Sequence, residues 1–277
     1  MTAEDHVRAW LSERGVPLEL AVAASFRQPF RDELGAVVMA EVDHARYYIS
    51  RDRDGRAEKV READVVAQVR TGRWYGDEAW ACVTWFVIEC KAAKDPPWVL
   101  YRAAGSDPLS RNWRDRLMES LTVTMSGTEG LELDDWIAPE TTGSLHFVGD
   151  WAYQLHITKR RGQSGRTDDE TGAFDTIQQV LSAVEGVSGD VAVPTRGTLA
   201  SIFVPVIVTA APVYSIDTGS DPESLTLVEV TDAFPLLGRY RPDDRLRLIW
   251  IVPAQAVGEF AQRAARGSAA MRLKKIS

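Results

Sequence analysis

Apolar positions along this chain change period several times, and each change marks an element. Between residues 3 and 14, Val7, Trp10 and Leu11 fall on one side of a short amphipathic helix, and Gly15 supplies its stop. Pro17 suits the first turn of a second helix, whose apolar positions Leu20, Ala23, Ala24, Phe26 and Phe30 recur at helical spacing. The residues from 36 to 50 and from 59 to 69 then read as two extended runs, with Asp54-Gly55 between them as a hairpin signal. Alternation in the second run puts Glu62, Asp64 and Val66 on one face and Ala63, Val65 and Ala67 on the other. A turn is expected at Trp74 to Asp77. The stretch that follows, V-T-W-F-V-I-E-C-K from Val83 to Lys91, is apolar on both faces until its last residues. Trp85, Val87, Glu89 and Lys91 share one side; Thr84, Phe86, Ile88 and Cys90 share the other. This predicts a central strand covered on both faces, with a carboxylate and an ammonium at its tip.

Beyond Lys91, Pro96 and Pro97 break the pattern and Trp98 to Tyr101 begins a short edge. Residues 103 to 145 carry little periodicity apart from a candidate helix at Arg111 to Leu121, and read as an insertion in the core. Gly149 to Thr158 alternates as a strand, and K-R-R-G-Q-S-G-R at 159 to 166 is a basic loop whose plainest reading is a solvated one. Phe174, Ile177, Val180, Leu181 and Val184 form a helical stripe ending at Gly186. Strands are expected at Ile202 to Ala210, Leu225 to Val230 and Leu246 to Val252, and a closing helix at Ala254 to Arg266. Helices interleaved with strands give an α/β chain. Residues 1–266 form one domain, with its core at about 17–101 and 145–266 and the insertion at about 103–145, followed by a basic tail at 267–277.

Composition narrows the classes. With 45% hydrophobic and 26% charged residues, 277 residues suffice for a substantial core. The formal charge of -8 leaves no electrostatic footprint for nucleic acid over the chain as a whole, so such a partner must be met by a local basic patch. Cys82 and Cys90, on one strand, would stand about 26 Å apart, against a limit of roughly 7 Å for a disulfide, which fits a reducing cytoplasm. The start, M-T-A-E-D-H, lacks a signal-peptide core, and the longest apolar run, Ile202 to Val213, is short and holds Pro205 and Pro212; a soluble protein without a membrane partner is expected. His6, His44, His146 and His156 lack zinc spacing and read as structural or surface groups. Asp52 and Asp54 do not make a calcium loop, because Arg56 occupies the fifth position and the closing glutamate is missing. Neither G-x-S-x-G nor G-x-x-x-x-G-K-[ST] occurs.

The remaining chemistry gathers at predicted strand ends: Asp64 on one strand, then Glu89 and Lys91 on its neighbour. Hydrolysis of a phosphodiester needs such parts. Carboxylate oxygens hold Mg²⁺ with most of its waters, the ion acidifies a bound water, and a lysine orients or helps deprotonate that water. Each residue also has a plainer role open to it. Glu89 and Lys91 would serve equally as a surface pair at a strand end, Asp64 as an acceptor in a turn, and Glu19 as a favourable charge in the first turn of its helix.

R-E-A-D-V-V-A at 61 to 67 and F-V-I-E-C-K at 86 to 91, preceded by the Y-Y-I-S-R-D-R-D-G hairpin, resemble the PD-(D/E)xK phosphodiesterases of restriction-endonuclease-like fold. The resemblance covers roughly residues 17 to 101, and more loosely the helix at 172 to 186 and the strand at 202 to 210. It implies a mixed central β-sheet flanked by helices, with the insertion after the third core strand. It further implies Asp64 and Glu89 as metal-binding acids, Lys91 as catalytic lysine, the Cys90 carbonyl as a further metal contact, and Glu19, with Glu4 as competitor, as a helix-borne acid. Ala63 replaces the proline of the family pattern. Gln178 or Gln179 would supply the polar residue that relatives carry on the following helix. The implied activity is a Mg²⁺- or Mn²⁺-dependent nuclease acting on DNA, with RNA as the alternative to DNA, in the cytoplasm; the oligomeric state stays open, a homodimer included. Lys159, Arg160, Arg161 and Arg166 are the candidate phosphate contacts. The alternative is a catalytically silent module that keeps the fold and binds nucleic acid or a protein.

Overall fold

A computed structural model describes residues 2–13, 15–31, 37–51, 58–75, 78–94, 96–102, 122–126, 151–158, 169–191, 198–217, 226–240 and 245–270. Two helices open the chain, α1 (Ala3–Glu13) and α2 (Val16–Arg27), the second with proline in its first turn as expected. Gly15 between them has φ of 82°, a left-handed conformation that favours glycine. A Cβ there would stand 3.2 Å from the Ala92 Cβ, so the start of α2 lies tightly against the chain just past Lys91.

The strands are β1 (Phe30–Arg31), β2 (Val37–Val38), β3 (Glu41–Arg51), β4 (Glu58–Tyr75), β5 (Glu78–Lys91), β6 (Trp98–Arg102), β7 (Thr122–Ser126), β8 (Ala152–Ile157), β9 (Thr198–Thr209), β10 (Val213–Asp217), β11 (Leu227–Glu229), β12 (Phe234–Arg239) and β13 (Leu246–Pro253). Helix α3 (Asp169–Asp190) separates β8 from β9, and α4 (Val257–Ala270) follows a short 3₁₀ turn at Ala254–Ala256. β1 and β2 form a small ribbon. The other strands build one mixed sheet in the order β11-β10-β6-β8-β12-β13-β9-β5-β4-β3, with β7 also on β9. The chain is thus α/β, a large mixed sheet flanked by helices.

β5 lies inside the sheet, antiparallel to β4 and parallel to β9. Its two apolar faces each meet a helical layer. Phe86 and Ile88 join Val65, Ala67, Ile202, Val204, Val206 and Val208 beneath α2 and α4, where Phe26 and Phe260 pack on Phe86 at ring-centroid distances of 5.5 and 6.4 Å. Val83, Trp85 and Val87 join Phe203 on the opposite face, under Ala183, Val184 and Val187 of α3; Trp85 stacks on Phe203 at 6.0 Å. The other end of α3 covers β6, β8, β12 and β13. Pro205 occupies an interior strand without breaking a ladder. It stands opposite Val87 on β5, and on its other edge β9 pairs with β7 over residues 199–203 and with β13 over 206–209, so that among the described residues this edge is unpaired at Pro205.

Several expectations need correction. Ala63 packs with Val66 beneath α3, whereas Val65 and Ala67 face α2 and α4. The alternation breaks at Asp64, which faces Ala45 in the β3–β4 register between His44↔Val65 and Arg46↔Ala63. Ala45 has φ of 60°, and this left-handed residue turns the outer hairpin over relative to its root. Of the turn expected at Trp74 to Asp77, Trp74 and Tyr75 pair with β5, and residues 76 and 77 lie outside the described residues. Phe30 begins a strand instead of extending α2. The third helix runs past Gly186, which is glycine because the Tyr48 ring presses on it and leaves no room for a Cβ. Part of the presumed insertion, β7, joins the main sheet; the helix expected at Arg111 to Leu121 lies outside the described residues, as do Asp54-Gly55 and the basic loop 159–166. The closing helix extends into the presumed tail, where Ser268 is buried and donates to the Ala264 carbonyl. Cys82 and Cys90 are free thiols.

Candidate active site

β4 and β5 end their pairing at Val65↔Ile88, so Asp64 and Glu89 are the next residues opposite one another. Apolar burial of Val65, Val66, Val87 and Ile88 fixes the register, and the acids emerge where β5 nears its end while β4 runs on, past the buried Ala63, to Glu58; the strand end expected at Asp64 is an interior position of β4. Asp64 Oδ2 accepts the Cys90 N–H at 2.6 Å, a contact that joins the interior of β4 to the end of β5. Cys90 enters through its backbone; burial, then the charges of Asp64, Glu19 and Glu89, push its thiol well above the usual range and keep it protonated. Lys91 Nζ donates to Glu89 Oε1 and to Gln179 Oε1, each at 2.8 Å, and so ties β5 to α3. Gln178, one residue earlier and therefore on another side of the helix, donates to the Tyr240 carbonyl. Of the two glutamines, Gln179 faces the site.

Glu19 approaches from the opposite layer, in the first turn of α2. Its side chain is 12% exposed and Oε2 lies 2.9 Å from His44 Nε2 on β3. Glu4 is instead a surface residue paired with Arg8 at 2.7 Å. His44 carried no signal in the sequence: it becomes part of the site only because the hairpin register sets it opposite Val65, one step from Asp64.

These charges act on one another. The Asp64 carboxyl is raised from 3.8 to about 7, first by burial, then by the negative charge of Glu89 and, more weakly, that of Glu19; the Cys90 N–H and the Lys91 ammonium oppose the shift. Tyr48, buried under α3, is pushed up to about 12 by burial and by Glu89. Three carboxylates with one ammonium among them leave an excess of buried negative charge, an arrangement that a divalent cation would relieve. Among the described residues, groups of three or more His, Cys, Asp or Glu that could by themselves hold a metal do not occur. Mg²⁺ needs no such cage, because one or two carboxylates with waters and substrate phosphate complete its shell, and Asp64 and Glu89 fit that requirement. Lys159, Arg160, Arg161 and Arg166 fall outside the described residues.

Among the described residues, no helix is long and apolar enough to cross a membrane. Comparison of the chain with protein-family models, with curated proteins and with solved structures found no match.

Proposed function

We propose that this chain is a Mg²⁺- or Mn²⁺-dependent nuclease of restriction-endonuclease-like architecture that hydrolyses phosphodiester bonds in DNA in the cytoplasm. The observation that carries the reading is the meeting of Asp64, Glu89 and Lys91 where β5 ends against β4, with Asp64 Oδ2 held by the Cys90 N–H at 2.6 Å and Lys91 Nζ on Glu89 Oε1 at 2.8 Å. Asp64 and Glu89 would hold the cation, with the Cys90 carbonyl beside them. The bound ion would supply a more acidic water and neutralise charge growing on the phosphate. Asp64 is oriented by the Cys90 N–H before any substrate arrives. Two of the three donors of the Lys91 ammonium are taken by Glu89 and Gln179; the third is left to fix the attacking water or a phosphate oxygen. That water's oxygen forms the new bond to phosphorus, the bridging P–O bond breaks, and a proton ends on the departing oxygen.

The same Lys91 contacts give a second reading some support, because an ammonium closed onto Glu89 also suits a module that binds without cutting. Purified protein incubated with plasmid DNA and Mg²⁺ separates the two. Cleavage that disappears in Asp64→Ala and in Lys91→Ala supports the nuclease; cleavage that survives either substitution ends the assignment, and binding without cleavage in the wild type selects the silent module.

A further inference from the structure

A chain of net charge -8 that handles DNA must gather cations where the backbone of the duplex passes. Beyond Ala45 the β3–β4 hairpin is sorted in this way. Residues opposite one another in an antiparallel pair share a face, and here the pairs are Arg46↔Ala63, Tyr48↔Arg61 and Ser50↔Lys59. Tyr48 and Ala63 pack beneath α3, and the Arg46 guanidinium lies over the Trp85 ring at 5.4 Å, which fixes that face as the one that also carries Glu89. It therefore presents Arg46, Arg61 and Lys59 and, from Arg46 outward, no carboxylate among the described residues. The opposite face takes Tyr47, Ile49, Val60 and Glu62. Arg46 is already engaged by Asp43 at 3.3 Å. Arg61 and Lys59 are exposed and form no ion pair among the described residues.

Two surface cations on a hairpin are ordinarily solvated side chains. Their position argues for more. They stand three and five residues before Asp64 on the same strand, about 10 and 17 Å away at the rise of a β-strand, distances over which successive backbone phosphates run. Arg61 lies close enough to Tyr48 for its charge to act on the phenol, which the charges of Glu89 and Asp64 reach as well. Resting on the nuclease reading, we infer that Arg61 and Lys59 form a phosphate-binding rail that leads the DNA backbone along the outer hairpin to Asp64 and Glu89.

The test is the salt dependence of binding by the full-length protein to a fluorescent DNA duplex, in EDTA and separately in millimolar Ca²⁺, followed by anisotropy. Each phosphate contact contributes about 0.9 to the slope of log K against log salt, so Lys59→Ala/Arg61→Ala should flatten the slope by about 1.8 and weaken binding some tens of fold at about 0.1 M salt. Arg61→Glu should weaken binding far more than Arg266→Glu, which makes the same charge change at an exposed position on α4. Circular dichroism melts show whether each variant is folded, and Arg61→Gln serves should the glutamate variant not fold. A double variant and an Arg61 variant that bind like wild type overturn the rail and leave the nuclease proposal standing. A wild type that binds no duplex under either condition overturns both.

Discussion

Asp64→Asn removes a charge that burial and two neighbouring acids disfavour, and its effect should depend on pH in a calculable way. The carboxyl sits at about 7 in the folded chain against 3.8 in the unfolded one. Between those values the folded protein keeps a proton that the unfolded protein has released, so stability is lost as pH rises and the loss is complete above about pH 7. Three units at about 1.4 kcal/mol each put the full cost near 4 kcal/mol, a ceiling because water reaches part of the carboxyl group. Asparagine keeps the shape and an acceptor for the Cys90 N–H without the charge. With both values in the linkage expression, the wild type should fall below Asp64→Asn by about 2 kcal/mol at pH 5 and about 4 kcal/mol at pH 8. Urea unfolding in EDTA, followed by tryptophan fluorescence at the two pH values, measures the gap, which should widen by about 2 to 3 kcal/mol. A gap of constant size, or a variant less stable than wild type at pH 8, would refute the buried-charge argument. Adding Mg²⁺ at pH 8 should stabilise the wild type and leave Asp64→Asn nearly unmoved.

Other substitutions probe the scaffold. Gly186→Ala drives a methyl group into the Tyr48 ring; thermal melts should show a loss of about 1–3 kcal/mol, and the cost should shrink in a Tyr48→Ala background. Phe86→Ala empties a fully buried site between Phe26 and Phe260 and should cost about 3–5 kcal/mol in urea titrations; an effect below 1 kcal/mol would contradict the packing described. Gln179→Ala removes one of two anchors on Lys91 and should lower plasmid cleavage by about 10- to 100-fold with an unchanged melting temperature, whereas Gln178→Ala, which loses only the Tyr240 contact, should leave cleavage near wild type.

The central strand was legible because an apolar run with β-branched and aromatic residues on both sides has few other places to go; the assignment of Trp85 and Val87 to one face and Phe86 and Ile88 to the other matches the two cores. The juxtaposition of Asp64 with Glu89 followed from the same logic, since both acids end apolar runs. Ala63 was misread because the alternation is interrupted by Ala45, an alanine in a conformation that glycine or asparagine would ordinarily announce. β10 and β12 escaped notice for a different reason. V-Y-S-I-D is short, and F-P-L-L-G-R contains a proline and a glycine that read as a loop; neighbouring strands impose the extended form. His44 reaches the site from β3, and no local pattern announces a contact made across such a distance in sequence; the resemblance offers Gln178 and Gln179 alike, and the packing of α3 decides for Gln179.

The inverted outer hairpin also acts as a proofreader of assembly. Were β3 to slip by one residue against β4, Ala45 would no longer face Asp64 and the two inversions would fall out of step. Tyr48 would then turn outward, the hollow at Gly186 would go unfilled, and Tyr47 and Ile49 would turn onto the face that carries Lys59 and Arg61. Misaligned hairpins are thus penalised in packing before any chemistry is attempted, and only the right alignment sets His44 opposite Val65, within reach of Glu19.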